Sequence, residues 1–317
     1  MRFPDLILSL VFSLILVACT PATRLLLQGG VESERSLVRA HRQGPYVLIF
    51  ALDGVGYDQM MTALKSGATP WLSALLGVNQ GDGVFAHAYS IPDAVSVLPS
   101  TTIPGWTSIF TGKAPAYTGI PGNEWFVREE MRFLAPVPVS FDETDDTRRA
   151  ISADLVGKAL KGQTLFDWIE GPVFISLNYM HHGADLFTTN DPPNTAALAM
   201  AFKTGKLVDS IPLLQKSYEE LDRNSVPKVV ETIRKHGVPT LQVVYFPGID
   251  LFTHIAKNPL DDQVGYLKTI TFPLIEAVLV NIGIKARSRI LMCYSSPITV
   301  LLRCSWIRIT RSLQSPK

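Results

Sequence analysis

Residues 46–56 read YVLIFALDGVG, an unbroken apolar run that is closed by Asp53 and two glycines. A segment that is apolar on both faces is typical of a central strand in a parallel sheet, because helices cover such a strand on both sides. The carboxyl end of the strand then lies at Asp53. Open α/β sheets bind their ligands beyond this end of their strands.

A second stretch, VPTLQVVYFPGID at 238–250, repeats the pattern of a strand and a turn that end in an aspartate, Asp250. Between the two, DQMMTALKSGATPWLSALL (58–76) predicts a helix. VFAHAYS (84–90) predicts a further strand, and PVFISLNYMHHG (172–183) predicts a strand followed by a loop. Strands that alternate with helices predict an α/β fold with an open, mostly parallel sheet flanked by helices. Asp53 and Asp250 would share one edge of that sheet.

The amino terminus predicts export. Arg2 precedes the apolar run LILSLVFSLILVA, which is short for a membrane span, and residues 16–19 form the lipobox-like sequence LVAC. We interpret 1–19 as a signal peptide, Cys19 as the lipidated first residue and 20–44 as a tether; a short buried helix is the alternative. The expected location is the bacterial cell envelope, on the periplasmic side or the outer membrane, with membrane attachment through the lipid.

Charge and cysteine content argue against a nucleic-acid-binding protein and against a disulfide-rich domain. The 317 residues carry a net charge of +1, and no basic stripe precedes residue 280, so no nucleic acid partner is predicted. Beyond Cys19, the chain has Cys293 and Cys304 alone, which is too few for a disulfide framework.

Residues 99–123, PSTTIPGWTSIFTGKAPAYTGIPGN, contain a cluster of hydroxyl side chains before an apolar run. Pro104 suits the first turn of a helix that ends at Gly112, and Thr102 precedes that start. Two interpretations are open. Thr102 is either a plain helix N-cap or a nucleophile beside backbone N–H groups that would hold a phosphoryl group.

Residues that could bind a metal ion favour the interpretation of Thr102 as a nucleophile. Asp53 could bind a divalent cation that also contacts the Thr102 oxygen and makes it an alkoxide. Asp250 and His254 offer one oxygen and one nitrogen, four residues apart, as zinc accepts.

The chain resembles the type I phosphodiesterase/nucleotide pyrophosphatase family of the alkaline phosphatase superfamily. The matching pieces are ALDG (51–54), PSTTIPGWTSIFTG (99–112), TGIPGN (118–123) and IDLFTH (249–254), and they place the family's domain at 45–284.

This resemblance implies an alkaline-phosphatase-like fold, two divalent metal ions, with zinc as the expected metal, and a phosphodiester or pyrophosphate substrate. It implies that Asp53 binds one metal together with the nucleophile Thr102, while Asp250 and His254 bind the second. Asn123 would hold a phosphate oxygen in the transition state, and a phosphothreonine would form and be hydrolysed.

Two departures from related patterns bear on the substrate. Gly105 and Trp106 follow the proline where nucleotide-cleaving members have asparagine, which weakens a nucleotide substrate more than a phosphoester one. A sulfatase is excluded, because that branch needs a cysteine or serine where this chain has Thr102.

The other polar residues considered are given structural roles, in loops or on the surface. His181 and His182, near Asp185, are interpreted as loop residues, with a place in the substrate pocket as the alternative. The aspartates expected on the solvated surface are Asp58, Asp82 and Asp93.

The carboxyl-terminal part lacks half of the family's metal ligands, which come from a Ser-Asp-His-Gly turn and a later histidine. No histidine follows His254, and residues 285–317 hold seven lysines or arginines and no carboxylate. Back-translation of 292–300, read from the third base of each codon, permits an apolar segment followed by Ser-Asp-His-Gly.

We therefore hypothesise a reading-frame shift between residues 277 and 292, with a genuine basic tail as the alternative. Resequencing of the locus distinguishes them, since an unchanged base count in independent isolates would refute the shift. The functional expectation is a threonine-dependent hydrolase of this family. The alternatives are an inactive relative or binding protein that lacks half of the metal ligands, and a lipoprotein whose basic tail docks on anionic lipid.

Overall fold

The computed structural model describes twelve segments of the chain, and the statements below concern these segments. They are 33–34, 46–67, 70–77, 79–81, 84–89, 95–137, 146, 149–150, 153–189, 211–282, 289–294 and 303–308. The predicted signal peptide, Cys19, Asp82 and Asp93 lie outside the described residues.

A ten-stranded sheet forms the centre of the described part of the protein, in the order β1-β9-β8-β10-β2-β11-β12-β5-β4-β3. The five strands from β9 to β11 run parallel, and the strands toward both edges pair antiparallel. A separate two-stranded hairpin consists of β6 and β7. The strand bounds are β1 Ser33–Glu34, β2 Val47–Leu52, β3 Asn79–Gly81, β4 Val84–Phe85, β5 Ala88–Tyr89, β6 Trp125–Val127, β7 Arg132–Leu134, β8 Val173–Ser176, β9 Leu186–Thr188, β10 Leu241–Phe246, β11 Arg289–Tyr294 and β12 Arg303–Arg308.

Helices cover both faces of the parallel region, which confirms the predicted α/β class. Their bounds are α1 Tyr57–Gly67, α2 Pro70–Leu76, α3 Thr102–Thr111, α4 Pro115–Thr118, α5 Leu155–Ala159, α6 Leu165–Trp168, α7 Ile211–His236, α8 Gly248–Ile255, α9 Pro259–Tyr266, a π-helical segment Leu267–Thr271 and α10 Phe272–Ile282.

The strand β2 separates two hydrophobic cores, because its side chains alternate between the faces. Leu48, Phe50 and Leu52 join the core formed with α1, α2 and α7–α10. Ile49 and Ala51 join the core under α3, α5 and α6. The strand is therefore buried on both faces, as its unbroken apolar sequence predicts.

The helical stretch Pro259–Asn281 is long and apolar enough to cross a membrane by length and composition. Several of its residues, including Tyr266, Phe272, Ile275 and Val278, are buried against the sheet. Within the described part of the chain it serves as a core element.

Two features differ from the sequence-based expectations, and a third concerns residues that follow the predicted domain. Residues 84–89 form two short strands joined by a turn, a hairpin in place of the predicted single strand. The helix predicted over 58–76 is two helices, and the second begins at Pro70, which cannot continue a helix from inside it. Residues 289–294 pair parallel with β2, so the sheet includes residues beyond 284.

Candidate functional site

The site begins at Asp53, directly after β2. The carboxylate is buried, its Oδ1 accepts the Gly54 N–H at 3.1 Å, and its Oδ2 accepts a hydrogen bond from the Tyr245 hydroxyl. Tyr245 lies on β10, the parallel neighbour of β2. The expected placement of Asp53 at the carboxyl end of a buried central strand is confirmed.

Asp250 approaches the same loop from the other side. A Cβ placed on Gly54 would collide with the Asp250 carboxylate, and Gly54 has a φ of +65°. Both facts require glycine at this position. The loop after β2 and the segment after β10 thus bring Asp53 and Asp250 close together.

The immediate setting of Asp250 corrects the sequence-based expectation of a strand and a turn. Asp250 lies in the first turn of α8, which begins two residues after β10 ends. His254 lies one turn further on, with its Nε2 3.4 Å from Asp250 Oδ2. The hydrogen bond that His254 donates to the Asp250 carboxylate raises the pKa of His254, although partial burial opposes this effect.

Thr102 is the first residue of α3, and this corrects its expected position one residue ahead of the helix. Thr101 is the N-cap and makes no side-chain capping hydrogen bond. The helix ends at Thr111, with Gly112 in the left-handed conformation, as the sequence predicts. Thr102 is half-buried. Because Thr101 occupies the N-cap position, the Thr102 hydroxyl does not cap this helix.

The amides at the start of α3 are largely occupied, in contrast to the expected cluster of unpaired donors. The Ile103 N–H donates to Asn123 Oδ1 at 2.8 Å, and Pro104 has no N–H. The Gly105 N–H donates to the Thr101 carbonyl at 2.9 Å. Since Oδ1 of Asn123 accepts this bond, the donor group of this side chain is its amide Nδ2.

Aromatic contacts connect the Thr102 helix with Asp53. The rings of Trp106 and Tyr245 meet edge to face with centroids 5.5 Å apart, and Tyr245 donates to Asp53. Burial and the neighbouring Asp53 carboxylate hold the pKa of Tyr245 well above its usual range, so the hydroxyl remains a donor. The sequence interpretation did not include Tyr245, because a tyrosine inside a buried strand is usually only part of the core.

The donor atoms at the site fit a divalent metal ion in type. Asp53 and Asp250 supply oxygen and His254 supplies nitrogen, which are zinc ligands. One carboxylate oxygen of Asp250 adjoins Gly54, the residue after Asp53, and the other lies 3.4 Å from His254 Nε2. Among the residues that the structure describes, however, no group of three or more histidine, cysteine or acidic side chains is arranged to hold a metal ion.

The type I phosphodiesterase/nucleotide pyrophosphatase family model matches residues 47–256, which is more than half of the chain. The chain belongs to this family. The match includes all the residues discussed above, from Asp53 to His254. The family resemblance inferred from the sequence is thereby confirmed. Comparison with curated proteins finds no match.

Several solved structures are similar to this phosphodiesterase-family chain. Two are of murine ectonucleotide pyrophosphatase/phosphodiesterase 5, one of them an inactive variant in complex with AMP, at 13% and 14% identity and TM-scores of 0.46 and 0.45. They cover 79% and 80% of this chain and 56% and 57% of their own. Phosphonoacetate hydrolase from Sinorhizobium meliloti 1021, in complex with phosphonoformate, is 18% identical, with a TM-score of 0.49 and coverages of 83% and 59%. The chain thus spans less than two thirds of the length of each.

Asp222 is a second residue that the sequence interpretation missed. It is fully buried on α7, accepts the Gly248 N–H at 2.8 Å and accepts the Tyr266 hydroxyl at 2.9 Å. The N-cap of α8, Pro247, provides no side-chain capping bond, so Asp222 caps this helix from another element. Burial raises the pKa of Asp222 to about 7.

The histidine pair in the phosphodiesterase-family chain has structural partners, in agreement with the loop interpretation. His181 is buried, stacks on Phe187 with centroids 3.8 Å apart, and has its pKa lowered by burial. His182 Nδ1 lies 2.7 Å from Asp154 Oδ2. Asp185 is fully buried and accepts the Val173 N–H at 2.8 Å.

Replacement of Gly54 by alanine is expected to destabilise the fold and displace Asp250. The left-handed backbone costs about 1–2 kcal/mol for a non-glycine residue, and the added methyl group collides with the Asp250 carboxylate. Urea unfolding measures the loss. The matched control is Gly105→Ala, because Gly105 is helical and a Cβ there meets nothing within 4 Å. That variant should be stabilised by up to about 1 kcal/mol; equal stability of both variants would contradict this account.

Proposed function

We propose that the protein is a metal-dependent phosphodiester or pyrophosphate hydrolase that uses Thr102 as its nucleophile. The observation that supports this most is the hydrogen bond between Ile103 N–H and Asn123 Oδ1. It ties the Asn123 side chain to the residue that follows Thr102, so the Asn123 amide could donate to a phosphoryl group bonded to Thr102. Asp53, Asp250 and His254 supply the metal ligands in the same proposal.

The metal ligands are assigned as the sequence implied. Asp53 and Thr102 would hold one ion, and Asp250 with His254 would hold the other. A bound divalent ion supplies positive charge that lowers the pKa of a coordinated hydroxyl and offsets the charge on phosphate oxygens. The further ligands of the family have no counterpart in the sequence after His254, where no histidine occurs.

In the proposed reaction, the Thr102 hydroxyl gives its proton to water and its oxygen attacks phosphorus. The ester or pyrophosphate oxygen leaves with its bonding electrons. Thr102 then carries the phosphoryl group as an ester, and a water molecule hydrolyses it in a second displacement. Asn123 Nδ2 donates to a non-bridging oxygen as negative charge grows there. Removal of a donor in such a position typically costs about 10²–10³-fold in kcat. The Tyr245 hydroxyl orients Asp53 through its hydrogen bond.

Hydrolysis of bis(4-nitrophenyl) phosphate by the purified protein, measured together with its zinc content, tests the proposal. Turnover that is removed by a chelator and restored by zinc would support it. A folded protein with no turnover and no bound metal would refute it, and would favour the alternative of an inactive relative. Comparison of the diester with a nucleotide pyrophosphate would define the leaving group.

We also propose that the protein is anchored in the cell envelope through a lipid on Cys19. The basis is the lipobox-like sequence at 16–19. Cys19→Ser should abolish incorporation of an alkyne-labelled palmitate into the protein, because the thiol is the acceptor. Cys293→Ser is the matched control and should incorporate the label as the unchanged protein does. Equal labelling of the Cys19→Ser protein would contradict the lipid anchor.

A further inference from the structure

Gln263 connects the two segments that carry the candidate metal ligands. It is buried on α9, and its amide nitrogen donates to the Gly54 carbonyl at 2.9 Å and to Thr253 Oγ1 at 3.1 Å. Its amide oxygen accepts the Gly56 N–H at 3.3 Å. Thus one side chain makes hydrogen bonds to the loop after β2 and to α8.

These contacts lie beside the ligands themselves. Gly54 follows Asp53 directly, and Thr253 precedes His254 directly. Asp53 is fixed at the end of β2, whereas Asp250 and His254 belong to a separate helix of eight residues. Gln263 makes all three of its hydrogen bonds to these two segments, so it determines how one lies against the other.

We propose that Gln263 is a positioning residue that holds the loop carrying Asp53 against the helix carrying Asp250 and His254. This inference rests on the proposed metal-dependent function. A glutamine suits the role, because its amide both donates and accepts and carries no charge that would compete with the ligands. Its burial excludes water, which would otherwise replace these hydrogen bonds.

Gln263→Met provides the test, since methionine is of similar length and makes none of these hydrogen bonds. The matched control is Gln242→Met: Gln242 is also buried, lies on β10, and donates to the Val243 carbonyl at 2.9 Å. Zinc is titrated into the metal-free full chain against a competing chelator. We expect about a tenfold loss of zinc affinity in Gln263→Met and no loss in Gln242→Met. Equal zinc affinity of a folded Gln263→Met protein would overturn the proposal.

Amide hydrogen exchange of the metal-free chains gives a second readout. Peptides covering 53–57 and 248–255 should exchange faster in Gln263→Met, and at the original rate in Gln242→Met. If the unchanged protein binds no zinc, the metal dependence in the proposed function fails, and this exchange decides the positioning role by itself. Unchanged exchange in both peptides would then overturn it.

Discussion

Thr102→Ala is expected to lower turnover of bis(4-nitrophenyl) phosphate by about 10⁴-fold or more, because loss of a covalent nucleophile has effects of this size. The fold should be unaffected. Thr102 is half-buried at the first position of α3, and alanine is a good helix former. Thr102→Ser should retain part of the activity, since it keeps a hydroxyl at the same atom. Initial rates at saturating zinc measure the effect.

The adjacent Thr101 is the control for this substitution. It is exposed, and its side chain makes no capping hydrogen bond. Thr101→Ala removes the same atoms one residue away and should leave turnover within about twofold of the original. Similar losses in both variants would indicate a defect of the helix start, and a fully active Thr102→Ala protein would exclude the threonine mechanism.

Asp250→Asn is expected to lower zinc affinity by at least about 100-fold, because a carboxylate ligand contributes more than the outer partners of ligands, whose loss costs 10–100-fold. The substitution keeps the size of the side chain against Gly54. It should also return the pKa of His254 toward its ordinary value, since the Asp250 hydrogen bond is the main cause of the increase. Zinc titration and an NMR pH titration of the imidazole measure the two effects.

Asp261→Asn is the control for Asp250→Asn. Asp261 is an exposed carboxylate on the next helix, α9, so the variant changes net charge equally without touching the site. Its zinc affinity and its His254 titration should match those of the unchanged protein. A zinc affinity unaffected by Asp250→Asn would remove Asp250 from the ligand set.

The sequence allowed Asp53 to be placed at a strand end because burial on both faces leaves a long apolar signature. The environment of Asp250 was predicted less well. The residues after Phe246 form a helix whose amino-terminal cap, Asp222, lies on α7, and no local pattern shows a cap from another element. The hairpin at 84–89 was also not predicted, because the alternating residues of this stretch are typical of one continuous strand.

Tyr245, Asp222 and Gln263 could not have been assigned from the sequence. Each acts through a partner distant along the chain, such as Asp53 and Tyr245, which are 192 residues apart. Each also resembles an ordinary buried residue of its own element. Thr102 was proposed from its place before a predicted helix, and Asn123 was assigned from the family motif at 118–123. In the structure, Asn123 accepts a hydrogen bond from the residue after Thr102.

The pairing of β2 has a consequence for how this protein matures. Its neighbours β10 and β11 are both synthesised long after it, so the first third of the chain contains no parallel partner for this strand. Assembly of the sheet centre must close a very large loop, which makes folding slow. A chain interrupted before residue 241 would leave both hydrogen-bonding edges of β2 unpaired, and we would expect it to aggregate or be degraded before the candidate site forms.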